Sequence, residues 1–83
     1  MIINLVKNYL ENMQIEDLNN LAIKHNINLS ENELNFTYSF IKNHYEAVLK
    51  NPANFDFREY AEYYSEENFQ KINQLIKKYY SYL

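Results

Sequence analysis

The chain has no cysteine, no glycine and no tryptophan, and only one proline and one arginine among its 83 residues. Without cysteine there is no disulfide, no thiolate nucleophile and no thiolate-held metal. Without glycine there is no glycine-rich loop to cradle a phosphate. The same absence hands every left-handed turn to another residue, for which asparagine is the natural stand-in. Long apolar runs are missing too, and no stretch reaches the length that crosses a membrane. The opening MIINLVKNYLEN carries polar residues every few positions and lacks the basic segment and small-residue cleavage site of a secretion signal. A cytoplasmic location is the expectation.

What the chain does hold is aromatic: nine Tyr and five Phe, within a hydrophobic fraction of 47%. That is enough to bury a core, so the abundant asparagine does not signal disorder, and the length suits one helical domain over 1–83. Eleven acids against eight Lys and Arg leave a net charge of −3. This balance weighs against general nucleic-acid affinity, because phosphate binding is driven by cationic side chains that release counterions.

Helix starts follow one pattern: a capping residue, an acid or amide three positions on, and an apolar pair bracketing both. Ser30 and Glu33 fit it with Leu29 and Leu34, and Asp56 and Glu59 fit it with Phe55 and Tyr60. Ser65 and Asn68 fit it with Tyr64 and Phe69. Gln14 is a poorer cap, bracketed by Met13 and Leu18, with Glu16 and Asp17 favouring the helix dipole. Asn26 suits the left-handed position that closes a helix, and Asn51-Pro52 ends another because the residue before proline is pushed from helical space. The spacing predicts an all-α, compact single-domain bundle of about five helices, near 2–12, 15–25, 31–50, 57–64 and 66–82. A short extended link at 26–29 turns Ile27 and Leu29 inward.

Projected at 100° per residue, four of the five helices are one-sided. The first carries Ile2, Val6, Tyr9, Leu10 and Met13, the second Ile15, Leu18, Leu21, Ala22 and His25. The fourth presents Phe57, Tyr60, Ala61 and Tyr64 and leaves Tyr63 outside with Glu59 and Glu62. The third is different. Leu34, Tyr38, Ile41, Tyr45, Val48 and Leu49 form one arc, and Phe36, Phe40 and Ala47 form a second, with Thr37 and His44 between them. Such a helix is either the centre of the bundle or is shared with a partner.

Few residues suggest chemistry. His25 and His44 lie on different helices without metal-ligand spacing, and His44 reads as a core histidine satisfied by a neighbour. Glu59, Glu62, Glu66 and Glu67 cluster before the last helix, where acids favour the helix dipole without further role. No activated nucleophile accompanies them, so the chain reads as non-enzymatic, with no catalytic, metal or cofactor-binding residues, no cofactor and no small-molecule substrate. A nucleic-acid reading starts from EDLNNLAIKHNINLSENEL, which resembles the helix–extended–helix layout of SAP-type modules. Its link, however, has no Lys or Arg, and the following helix opens on Glu31 and Glu33. In that alternative Lys71, Lys77, Lys78 and Tyr82 of the C-terminal helix make the contacts.

The segments MQIEDLNNLAIKHNINLSENEL, NFDF and NQLIKKY, spread over nearly the whole chain, resemble a family of short proteins of low-GC Gram-positive bacteria. It is the domain-of-unknown-function family related to the Bacillus YqfT protein. Asn26 and Ile15 stand where that pattern has Gly and Pro. The resemblance implies a small helical cytoplasmic protein and brings no site residues with it. The expected function is protein–protein contact through Phe36, Phe40, Ala47 and Tyr63, with an unidentified protein or a second copy of the chain as partner.

Overall fold

The computed structural model describes residues 2–51 and 55–80, with side chains over 5–51 and 55–78. Among the described residues four α-helices and one 3₁₀ helix make an all-α bundle: α1 (Ile2–Asn12), α2 (Ile15–Lys24), α3 (Glu31–Lys50), the 3₁₀ helix (Phe57–Tyr63) and α4 (Glu66–Tyr80). The expected continuation of α4 to residue 82 lies outside the described residues.

The first turn of helix–helix geometry is set where α2 stops. His25 is its last cap, and Asn26 takes the left-handed conformation with φ 63°. The Asn26 N–H then donates to the Ile23 carbonyl at 2.9 Å and the Ile27 N–H to the Ala22 carbonyl at 2.8 Å. This is the Schellman closure, completed without glycine. It swings Ile27 into the core at 2% exposure, and the link then delivers the chain to Ser30.

Both α1 and α2 pack on α3, while α4 packs on the 3₁₀ helix. Polar links from α3 hold α1 in place. The Lys42 ammonium donates to the Leu10 and Glu11 carbonyls at 3.0 and 2.7 Å, and the Tyr38 hydroxyl to the Met13 carbonyl at 3.1 Å. A cation on the unpaired carbonyls of a helix C-terminus also suits the dipole. Because α1 has a single neighbour of this kind, its inward stripe is narrow. Met13 is buried and Val6 and Leu10 half-buried, whereas Tyr9, expected on the stripe, is exposed.

The segment expected as an α-helix over 57–64 is a 3₁₀ helix, and that changes which residues line up. The Asp56 carboxylate accepts from the Arg58 N–H at 3.0 Å and pairs with the Arg58 guanidinium. It therefore caps one position earlier than a capping box with Glu59 requires. With three residues per turn, side chains at i and i+3 eclipse. Phe57, Tyr60 and Tyr63 then form one row, where α-helical spacing leaves Tyr63 on the opposite side.

The core is thin. Among the described residues the buried apolar side chains are Met13, Leu18, Ala22, Ile27 and Phe57. The accessible surface is 6220 Å², against about 5,300 Å² for a typical folded chain of this mass.

Replacing Asn26 by Gly removes the Cβ strain of the left-handed turn and should stabilise the protein by about 0.5–1 kcal/mol. Thermal unfolding should show the midpoint rising by roughly 3–6 °C, and Asn26→Val should lower it.

Candidate functional site

The second arc of α3 lies under aromatic rings contributed by the 3₁₀ segment. Phe36 and Tyr63 stack face to face, with centroids 4.1 Å apart and planes 6° from parallel. Tyr64 meets Phe36 edge-on at 5.9 Å, and Tyr60 meets Phe40 edge-on at 4.8 Å. Phe55 adds a further ring 5.7 Å from Phe40, and Phe57 stacks on Phe69 of α4 at 5.1 Å. Each such pair is worth about 0.5–1.5 kcal/mol beyond the area it buries. Phe36 and Phe40 are consequently half-buried within their own chain, whereas Ala47 is exposed and Tyr63 keeps 49% of its surface. His44, expected as a core residue, is exposed, with its ring lying 4.8 Å from that of Phe40. It sits on the open flank of the arc, because the 3₁₀ helix covers the Phe36 end and not the C-terminal turns.

A pocket of 160 Å³ opens at that uncovered end, between Phe40, His44, Ala47, Phe55 and Tyr60. All four residues expected at a protein contact therefore belong to one face. Phe36 and Tyr63 form its ringed end, and Phe40 and Ala47 line its pocket.

Beneath the rings runs a buried polar network centred on Glu33, which is 6% exposed. One carboxylate oxygen accepts from the Ser30 N–H and the Asn68 side-chain amide, each at 2.8 Å. The other accepts from the Ser65 N–H at 2.7 Å. The Ser30 and Ser65 hydroxyls accept in return from the Glu33 and Asn68 N–H groups at 3.1 Å. The Asn68 amide also donates to the Asn28 carbonyl at 2.9 Å. Above this, the Thr37 hydroxyl donates to the Glu33 carbonyl at 2.7 Å and pairs with the Tyr64 hydroxyl.

One side chain thus caps α3 and receives the N–H of the residue that caps α4. Burial pushes the Glu33 carboxyl upward, but donation from the Ser30 and Ser65 N–H groups, the Asn68 amide and the Ser30 hydroxyl outweighs it. The net result is a pKa below the ordinary glutamate value. For Tyr64, burial dominates and raises the phenol; the Thr37 hydrogen bond lowers it and the Glu33 charge raises it further. The pairing of Ser30 with Glu33 was legible in the sequence. The reach of Glu33 to Ser65 and Asn68, 32 and 35 residues on, was not, since no local spacing encodes it.

The residues of the nucleic-acid alternative lie on α4. The Lys71 ammonium donates to the Asn26 carbonyl at 2.8 Å and lies 3.8 Å from the Glu67 carboxylate. Lys77 and Lys78 are exposed, and Tyr82 lies outside the described residues.

A second and larger void, of 410 Å³, runs through the bundle between α2, α3 and α4. Among the residues along it are Ala22, Ile41, Leu49, Ile72, Leu75 and Ile76. Closed and empty, a void of this size forfeits about 10 kcal/mol. That rivals the whole stability of a small domain, about 5–15 kcal/mol.

Among the described residues no helix is long and apolar enough to cross a membrane, and no three His, Asp or Glu side chains gather as a metal site requires. Comparison of the chain with protein-family models, with curated proteins and with solved structures returned no match.

The Glu33 geometry sets a pH dependence. Its folded pKa lies below the ordinary 4.5, so its ionised form stabilises the fold fully above that value. The contribution is lost as pH falls through the depressed folded pKa. Glu33→Ala should cost about 3 kcal/mol at neutral pH, because it strands buried N–H donors. Glu33→Gln should flatten the loss of stability below pH 4.5 that wild type shows, as read by urea unfolding at a series of pH values.

Proposed function

We infer that the protein works without catalysis, by protein–protein contact through the aromatic face of α3 and the 3₁₀ helix, and that its partner is a second copy of the chain. The observation that carries this reading is the gathering of Phe36, Phe40, Ala47 and Tyr63 on one face. Aromatic rings held in place by stacking lose little entropy on binding, and an adjoining pocket of 160 Å³ suits one apolar side chain from across the interface.

Charge favours a self-complementary pairing. Exposed Glu59 and Glu62 lie at the Tyr63 end of the face, whereas exposed Lys50 lies at the Ala47 end of α3. A two-fold axis across α3 brings the acidic end of one copy to the basic end of the other, the self-matching that an isologous interface requires. Opposed charge at the rim adds orientation and association rate more than affinity. The alternative, phosphate contact through α4, has its innermost lysine already tied to Asn26 and near Glu67, and no observation favours it.

Sedimentation equilibrium should give twice the chain mass. Ala47→Arg changes an exposed position and should return a monomer whose unfolding midpoint stays within about 4 °C of wild type, the shift of roughly 0.5–1 kcal/mol, whereas Tyr63→Ser also removes the stack on Phe36 and should return a monomer with a lower midpoint. A monomeric wild type at high micromolar concentration would overturn the reading.

A further inference from the structure

We propose that the 410 Å³ void is a binding site for a hydrocarbon chain, taken up as an aliphatic tail with any polar head left in solvent. This goes beyond the contact reading: the two sites share Phe40 on their common wall, whereas Phe36, Ala47 and Tyr63 do not line the void.

Three observations select the occupant. The first is chemical. The walls are mostly aliphatic, with Leu10 of α1, Ala22 of α2, Ile41 and Leu49 of α3 and Ile76 of α4 among them, and the rings of Phe40 and Phe57 complete them. The hydroxyls that reach the walls are committed elsewhere: Thr37 to the Glu33 carbonyl and Tyr64, Tyr45 to the Glu11 carboxylate at 2.8 Å. That bond first, with burial and the Glu11 and Glu46 charges, pushes the Tyr45 phenol up to about 12. The His25 imidazole also reaches the wall, so the lining selects an aliphatic tail chiefly by apolar contact.

The second observation is size. An apolar cavity of ~150 Å³ holds the six carbons of benzene, so this one scales to about 16 carbons.

The third is shape. The lining on α3 extends from Thr37 to Leu49, about 18 Å of helix. An extended aliphatic tail can run along that length.

The test is a chain-length series of neutral alcohols, 1-hexanol to 1-dodecanol, titrated into the full chain, with unfolding midpoint and calorimetry as readouts. Binding of 1-dodecanol should be saturable at one per chain, should raise the midpoint by mass action, and should be at least tenfold tighter than that of 1-hexanol. Ile76→Phe narrows the slot and should weaken 1-dodecanol at least tenfold, with the ligand-free midpoint unchanged or higher. Ile41→Phe makes the same change from α3 should the first variant fail to fold, and the alcohol series on wild type decides alone should both fail. Ala47→Arg should leave the affinity for 1-dodecanol unchanged, which separates this site from the contact face. The absence of saturable binding at every chain length, equal affinity across the series, undiminished binding to a folded slot variant, or concentration-dependent filling of the slot by a second copy would each overturn the proposal.

Discussion

The Glu33 carboxylate is the constraint on which the rest of the bundle depends. Helix N-termini present unpaired N–H groups, and here two of them converge within one side chain's reach. Glu33 receives the Ser30 N–H that precedes α3 and the Ser65 N–H that precedes α4. Asn68 then ties the same carboxylate to the carbonyl of Asn28 in the α2–α3 link. A buried charge is tolerable only when paired or amply hydrogen-bonded. The four donors named above, reinforced by two helix dipoles, meet that condition without a cationic partner. With both N-termini pinned at one point, the chain between them is obliged to lay the 3₁₀ helix across α3. The aromatic face follows from that placement.

Seen this way, the division between what sequence reveals and what it hides has a physical origin. Features encoded within four residues were legible: the Ser30–Glu33 box, the Ser65 cap, the left-handed Asn26, and the bounds of α1 and α3. Each rests on a local bond whose partners stand at fixed spacing. The helical type of the segment after Asp56 was not legible, because α and 3₁₀ turns share the same capping residues and differ by one position in where the first N–H turns. That single position moved Tyr63 from the supposed polar side into the row with Phe57 and Tyr60, and so into contact with Phe36. The exposure of His44 and Tyr9 was hidden for a different reason. A wheel shows which residues share a side, but not how far a neighbouring helix extends along it.

The two arcs of α3 are covered by different means. The aromatic arc receives a short, stiff row of rings, which fill space through defined pairwise geometry and leave one edge for contact. The aliphatic arc faces α2 and α4, and those helices stand far enough apart to leave the large slot between them. No apolar residue of α3 is fully buried, and its one buried side chain is Glu33. A central helix whose best-buried residue is a carboxylate derives its position from polar anchoring at one end and not from uniform core packing along its length.

That arrangement bears on what the slot is able to do. Packing interiors are dense, and side chains around a void collapse into it when the backbone is free to follow. Here α4 is tied at its start through Ser65 and Asn68 and farther along by Lys71, whose ammonium grips the carbonyl of Asn26 at the end of α2. Lys42, Tyr38 and Tyr45 likewise fasten α1 to α3 through carbonyls and a carboxylate. Hydrogen bonds of fixed length therefore set the helix spacing, and apolar contact does not. A scaffold spaced by polar struts keeps an apolar interval open that hydrophobic collapse alone would close. The thin core and the open slot are two consequences of the same polar framework.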